Sequence, residues 1–191
     1  VVQPTDSLQI TIGSFDYLLV DDDGGQNYEE HYFKLMDFDH WDITSKGVPT
    51  NDNLIKYKAV IWYTGDETEN TVTNEEQVLI KSYLESGGRL LISGQNIGAD
   101  LCENGSPEDS TFFESYLSAR FITDGSNDQM LAANVSCPTC NGIDPWLFTA
   151  FGGAGNQTSL DVIEPIPPAE ALFHYSTNSE YYAAVQVENM E

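Results

Sequence analysis

The sequence predicts an α/β protein: a doubly wound, mostly parallel sheet with a β-rich C-terminal extension. Three observations lead there. Tyr17-Leu-Leu-Val20 is a short apolar run that ends abruptly in Asp21-Asp22-Asp23-Gly24-Gly25 and gives way to helical spacing, which is how a βαβ unit opens. Two later apolar runs, 58–65 and 89–93, also end in Thr, Ser, Gly or Asp, with an amphipathic helical pattern between them. Beyond Phe121 the helical period disappears, and short β-like runs alternate with Gly, Pro, Asn and Ser. The expected organisation is an edge strand or the tail of a preceding β-domain over 1–13, then one domain over 14–191. Its core covers 15–121 and its β-rich extension 122–191.

In order, Leu8, Ile10 and Ile12 alternate with polar neighbours before Gly13, a half-exposed strand pattern. After the aspartate corner, Tyr28, Tyr32, Phe33, Leu35 and Met36 recur at helical spacing and predict a helix over 27–37. Residues 40–44 read as a second strand, and 51–57 as a short helix. Lys58-Ala-Val-Ile-Trp-Tyr-Thr-Gly65 is a third strand. Thr73-Asn-Glu-Glu76 is a capping-box signature, and Gly87-Gly88 supplies a left-handed stop to the helix that follows it. Arg89 to Ser93 is a fourth strand, leading into Gly94-Gln-Asn-Ile-Gly98, and Phe112, Phe113, Tyr116 and Leu117 mark another helix. The later β-like runs are 130–135, 160–163, 171–175 and 181–187.

The 191 residues include 31 acidic and 7 basic ones, a formal charge of −24. Such a surface repels phosphate backbones and anionic lipid, so nucleic acid is not an expected partner. No apolar run approaches a membrane span, so no membrane insertion is expected. Cys102, Cys137 and Cys140 are too few for a zinc site, and Cys137-Pro-Thr-Cys140 does not open a helix after a strand. Two of the three are expected to form a disulfide, which points to a secreted or cell-surface protein.

A parallel sheet lines up its strand ends along one edge, and that edge is where chemistry is expected. Asp21, Asp22, Asp23 and Asp66, if gathered there, could hold a hard cation, calcium being the one that oxygen ligands favour. The ordinary alternative has one aspartate capping the next helix, another accepting loop amides and a third solvated. The Asp124-Gly-Ser-Asn-Asp128 loop is a further candidate. Gly94-x-x-x-Gly98 after a strand has the shape of a nucleophile elbow, but Asn96 at its centre is not a nucleophile. His31, His40 and His174 do not cluster in sequence. Trp41, Trp62, Tyr63 and Trp146 could line a carbohydrate-binding face, or belong to the core as strand aromatics usually do.

Val20-Asp-Asp-Asp-Gly-Gly25, the Ala59–Gly65 strand, Thr73 with its helix and Gly88–Gly98 resemble the class I glutamine amidotransferase-like fold. More closely, they resemble its non-catalytic version, an accessory domain of secreted multidomain bacterial and archaeal proteins, often beside extracellular peptidase domains. The resemblance covers about Phe15 to Phe121. It implies a cysteine at the elbow centre, and a histidine with a glutamate two residues later near the chain end. Here Asn96 stands at the first place, and His174 is followed by Tyr175 and Ser176. Cys102 lies six residues beyond the elbow centre. The expected function is therefore a non-catalytic extracellular accessory domain requiring no cofactor. Asp22, Thr64, Gly65, Gln95 and Asn96 are its expected ligand contacts, and other domains of the same polypeptide or an extracellular assembly its partners. The alternatives are a hydrolase or cation-binding domain using the acidic cluster, and a carbohydrate- or peptide-binding module.

Overall fold

The computed structural model describes residues 15–126, 128, 130–135, 137–140, 146–147, 155 and 157–188. The alternating run over 8–12 lies outside them. Four parallel strands, β1 (Tyr17–Asp21), β2 (Asp39–Asp42), β3 (Ala59–Gly65) and β4 (Leu90–Gly94), form a sheet in the order β2-β1-β3-β4. The order reverses between β1 and β3, so the loops after these two strands diverge and leave a crevice at their carboxyl ends.

β1 is buried on both faces, which is why it reads as an unbroken apolar run rather than an alternating one. Leu18 and Val20 join Val60 and Trp62 in the main core, under α3 (Asn51–Leu54), α4 (Asn74–Glu85) and α5 (Pro107–Tyr116). Leu19 and Tyr63 face the other way, towards α1 (Glu29–Phe33), where Tyr32 stacks on Tyr63 with ring centroids 4.7 Å apart. Helices thus lie on both sides of the sheet. The α1 side is thinly covered: Leu91 of β4 is 55% exposed, and among the described residues β4 is one of the sheet's two edge strands, with β2 the other.

α1 is shorter than the 27–37 spacing predicts: it begins at Glu29, after a loop whose Gly25, Gln26 and Tyr28 amides donate to Asp23, and it ends at Phe33. Leu35 and Met36, expected on its apolar face, are exposed. β2 also ends early, since the Asp42 carboxylate accepts the Ser45 amide at 3.3 Å and opens α2 (Ile43–Lys46). The Thr73 capping box is formed: the Thr73 amide and hydroxyl both donate to Glu76, at 2.6 and 2.7 Å.

The β-rich half is a sheet of its own rather than a continuation of the first. β5 (Ala119–Ser126), β6 (Met130–Ala133), β7 (Trp146–Leu147), β8 (Leu160–Pro165), β9 (Glu170–Tyr175) and β10 (Asn178–Gln186) lie in the order β5-β8-β10-β9-β6-β7. Every pairing in it is antiparallel. A π-helical turn, Ala99–Asn104, follows the elbow and packs against α5.

The aspartate corner depends on close backbone approach. Gly65 has φ +56°, and a Cβ there would come within 2.7 Å of the Tyr28 ring and 3.0 Å of Asp23 Cβ. Gly65→Ala combines a left-handed backbone penalty with overpacking and is expected to cost about 2 kcal/mol or more in urea denaturation. A change within about 0.5 kcal/mol would mean that this corner is not tightly packed.

Candidate functional site

The three adjacent aspartates take different donors, although Asp21 and Asp23 stay close to one another. Asp21, at the end of β1, lies 2.9 Å from His40 Nε2 on β2. Asp22 turns towards β3 and accepts Trp62 Nε1–H at 2.9 Å. Asp23 is fully buried and accepts the amides of Gly25, Gln26 and Tyr28 at 3.0, 2.8 and 3.2 Å. Asp66 takes the Gln26 side-chain amide and, at 3.0 Å, the Tyr28 hydroxyl. The cation cage expected of Asp21, Asp22, Asp23 and Asp66 is not assembled, because each carboxylate is directed at a different protein donor. Among the described residues, no group of three His, Cys, Asp or Glu side chains is arranged to hold a metal ion. Burial, with the Glu76 carboxylate nearby, pushes Asp22 up to about 8, so it is largely protonated at neutral pH.

The elbow is present and its centre is Asn96. Gly94 admits the close approach of β3, since a Cβ there would lie 2.0 Å from Thr64 Oγ1. Gln95 holds the second sheet: its Oε1 accepts the Thr158 and Ser159 amides at 2.8 and 3.2 Å, and its carbonyl accepts the Asp161 amide at 3.0 Å. Asn96 is 6% exposed, and its Nδ2 donates to the Thr68 carbonyl at 3.2 Å. That bond fixes the amide orientation, because only the nitrogen can donate to a carbonyl. Asn96 Oδ1 is left buried with no hydrogen-bond partner, as are Thr64 Oγ1 and Gln95 Nε2. Thr64, Gly65, Gln95 and Asn96 are therefore contiguous, while Asp22 sits one strand away against Trp62.

Asp161 was not legible as a site residue. It comes from β8, and its carboxylate accepts the amides of Gly98 at 2.5 Å and Ala99 at 3.2 Å, where the turn after the elbow begins. Burial pushes it up to about 7, against the opposing pull of those two amides. Only a Leu-Asp-Val alternation marks it in the sequence, and nothing local says which loop its outward carboxylate will meet.

None of the expected nucleophile partners gathers here. Burial pushes the Cys102 thiol up to about 11, opposite to the shift that activates a thiolate. His174 Nδ1 lies 3.0 Å from the neighbouring Tyr175 carbonyl. The expected disulfide is not formed: no two of the three sulfurs are at bonding distance. Cys102 packs against the main core, whereas Cys140 Sγ donates to the Leu172 carbonyl at 3.2 Å and Cys137 Sγ accepts from Gln186 Nε2 at 3.8 Å. Asp128 ties its loop to the β9–β10 turn through Ser176 and the Thr177 amide. Trp62 and Tyr63 are core residues, and Trp41 packs against the core, so none of the three forms a carbohydrate platform. The side chain of Trp146 lies outside the described residues.

Beside the elbow lies an open cleft of about 610 Å³, bounded by the loop after β3, the π-helical turn and the facing edge of the second sheet. Asn96 forms part of its lining, with the carboxylates of Glu69, Asp100 and Asp124. Asn70, on its wall, has φ +56°.

No protein-family model matches the sequence, and no curated protein does. Among solved structures, a ThuA-like protein from Bacteroides uniformis ATCC 8492 superposes with a TM-score of 0.53 at 15% identity, over 85% of this chain and 68% of that one. The fold is ThuA-like. A GMP synthase protein from Thermoplasma acidophilum aligns more loosely, with a TM-score of 0.44 at 12% identity over 84% of this chain and 73% of that one. No helix among the described residues is long and apolar enough to cross a membrane.

Two of the raised carboxyls, Asp161 and Asp22, set a pH dependence. Asp161 moves from 3.8 to about 7 on folding, so between these values the folded state holds a proton that the unfolded chain releases. Stability contributed by that proton is lost as pH rises through about 4 to 7, and for Asp22 the loss extends to about 8. Asp161→Asn and Asp22→Asn are each expected to flatten the fall in Tm over their window relative to the parent chain. Superimposable Tm–pH curves would show that these groups titrate normally.

Proposed function

We propose that this chain is a non-catalytic, extracellular interaction domain of a larger secreted protein, in which a degenerate amidotransferase-like elbow serves ligand contact. The observation that carries the reading is Asn96: a carboxamide at the elbow centre, anchored through its nitrogen to the Thr68 carbonyl and lining a polar cleft. A carboxamide can hydrogen-bond a ligand but cannot form the acyl-enzyme bond that a cysteine forms at such a turn. The thiol six residues on is held neutral, and Asp161 fills the amide pair at the start of the π-helical turn, a place where developing negative charge could otherwise be stabilised.

The acidic balance of 31 carboxylates to 7 bases and the resemblance to accessory domains support the extracellular assignment. The partners proposed are other domains of the same polypeptide or an extracellular assembly. No cofactor enters the reading, and the Asp21–Asp23 corner acts as architecture, because its carboxylates are committed to His40, Trp62 and the Gly25–Tyr28 amides.

Incubation with an electrophilic glutamine analogue is expected to leave the intact mass unchanged, and glutamine is expected to release no ammonia above the buffer rate. A covalent adduct on Cys102, or ammonia release abolished by Cys102→Ser, would overturn the non-catalytic reading. Fractionation of the producing cells is expected to recover the full-length protein outside the cytoplasm.

A further inference from the structure

We infer that the outer edge of β4 takes up an extended, lysine- or arginine-bearing segment of a partner protein as an added strand. The surface is separate from the elbow, so this inference and the ligand-contact reading above can fail independently.

The backbone of β4 is satisfied on one side only. In its parallel ladder with β3 the Val60 amide donates to the Arg89 carbonyl at 2.9 Å, with Val60 opposite Leu90 and Trp62 opposite Ile92. Alternate residues of such a ladder turn their N–H and C=O groups to opposite sides, so Arg89, Leu91 and Ser93 bond to β3 while Leu90 and Ile92 present their amides and carbonyls outward. Among the described residues no strand pairs with that edge. β8 reaches this part of the chain only past the end of β4, where the Asp161 amide donates to the Gln95 carbonyl at 3.0 Å. The Leu91 and Ser93 side chains, on the α1 side, are exposed, and Leu90 and Ile92 are only partly covered by the main core.

The two edges of the sheet are treated differently. β2 carries Asp39, His40 and Asp42 in its four residues, and Asp42 turns the chain into α2, which are the ordinary ways to keep an edge from being extended. β4 reads Leu-Leu-Ile-Ser-Gly, with no charge and no proline. Charge then selects the occupant. A second copy of this chain brings −24 against −24, and nucleic acid or anionic lipid is repelled in the same way. A basic segment is drawn in, and complementarity of this kind sets partner choice and the rate of approach. In strand addition the main-chain hydrogen bonds supply the affinity, and Leu91 offers the added strand an apolar neighbour on the exposed face.

The probe is a capped Lys-Val-Lys-Val-Lys-Val peptide, with its Glu-Val counterpart and a form N-methylated at every residue as comparisons. Calorimetry is expected to show saturable, one-to-one binding of the lysine peptide and none of the glutamate peptide. N-methylation, Leu90→Pro and Leu91→Lys are each expected to weaken it about tenfold or more. Amide hydrogen exchange is expected to slow at Leu90 and Ile92 when the peptide is bound. Leu90→Pro removes an outward donor at the first residue of an edge strand, where proline is tolerated. Leu91→Lys changes an exposed side chain and decides the matter if Leu90→Pro does not fold. Val78→Lys, at an exposed apolar position of α4 on the other side of the sheet, is expected to leave binding unchanged. Equal weakening by Val78→Lys, or undiminished binding of the N-methylated peptide, would reduce the effect to diffuse charge attraction and overturn the proposal. No binding of the lysine peptide, or equal binding of both peptides, would overturn it as well. Self-association of the free chain that Leu91→Lys abolishes would assign the edge to a second copy instead. Binding that emerges only when residues 1–13 are deleted would assign it to the chain's own N-terminal segment, and either result overturns the proposal. Labelling by the glutamine analogue bears on the elbow alone.

Discussion

The two sheets are held together by a reciprocal clasp between Gln95 and Asp161. Gln95 receives the amides of Thr158, Ser159 and Asp161, and Asp161 in turn receives those of Gly98 and Ala99. The Tyr175 hydroxyl donates to the Asp161 carbonyl at 2.7 Å and links the clasp to β9. Five amides at the junction therefore find acceptors in one short region, where each would otherwise be costly to bury. The position of the cleft follows from this, because Asp124 and Ser159 face Asn96 only while β8 is drawn up to the elbow. A residue expected to contact ligand thus places the second sheet, while its neighbour Asn96 lines the cleft.

The parallel core was legible because its causes are local. β1, β3 and β4 announce themselves as apolar runs that stop at polar or glycine residues, and Thr73 with Glu76 marks the start of α4 to the residue. The failures have equally physical causes. The spacing of Tyr28 to Met36 predicts a longer helix, but α1 ends at Phe33 and Leu35 and Met36 are exposed, so the tertiary packing that would hold its last turn is missing, which local periodicity does not report. The β-rich half could be recognised by composition, whereas its separation into an independent antiparallel sheet depends on pairings between strands far apart in the chain, such as β5 with β8. Such pairings leave only alternation as a trace.

The site was half legible. Strand-end logic puts Thr64, Gly65, Gln95 and Asn96 in one region, whereas the three aspartates go to His40, Trp62 and the Gly25–Tyr28 amides, so that none is left solvated as the ordinary alternative has it. Asp161 was missed because it belongs to the other sheet. The three thiols form no disulfide: Cys137 and Cys140 lie beside one another but are also hydrogen-bonded to Gln186 and Leu172, and Cys102 packs against the core. The ThuA-like likeness supports the architecture and leaves the chemistry to these particular residues.

The outer strand β4 carries a consequence for how the molecule behaves in quantity. Leu90-Leu-Ile-Ser-Gly94 has no charged residue or proline, Leu91 is 55% exposed, and among the described residues no strand pairs with its outer edge. Such an edge is a template for a second strand, and the usual local guards against edge-to-edge joining are missing. The remaining guard is global. Two copies each carrying −24 must approach to a strand spacing of about 4.8 Å, inside the screening length of about 8 Å at physiological ionic strength, so repulsion persists until contact. At about 3 Å in molar salt that protection largely vanishes. The excess of carboxylates then acts as a colloidal stabiliser for one unguarded strand, and ionic strength becomes the variable that decides whether the protein stays dispersed.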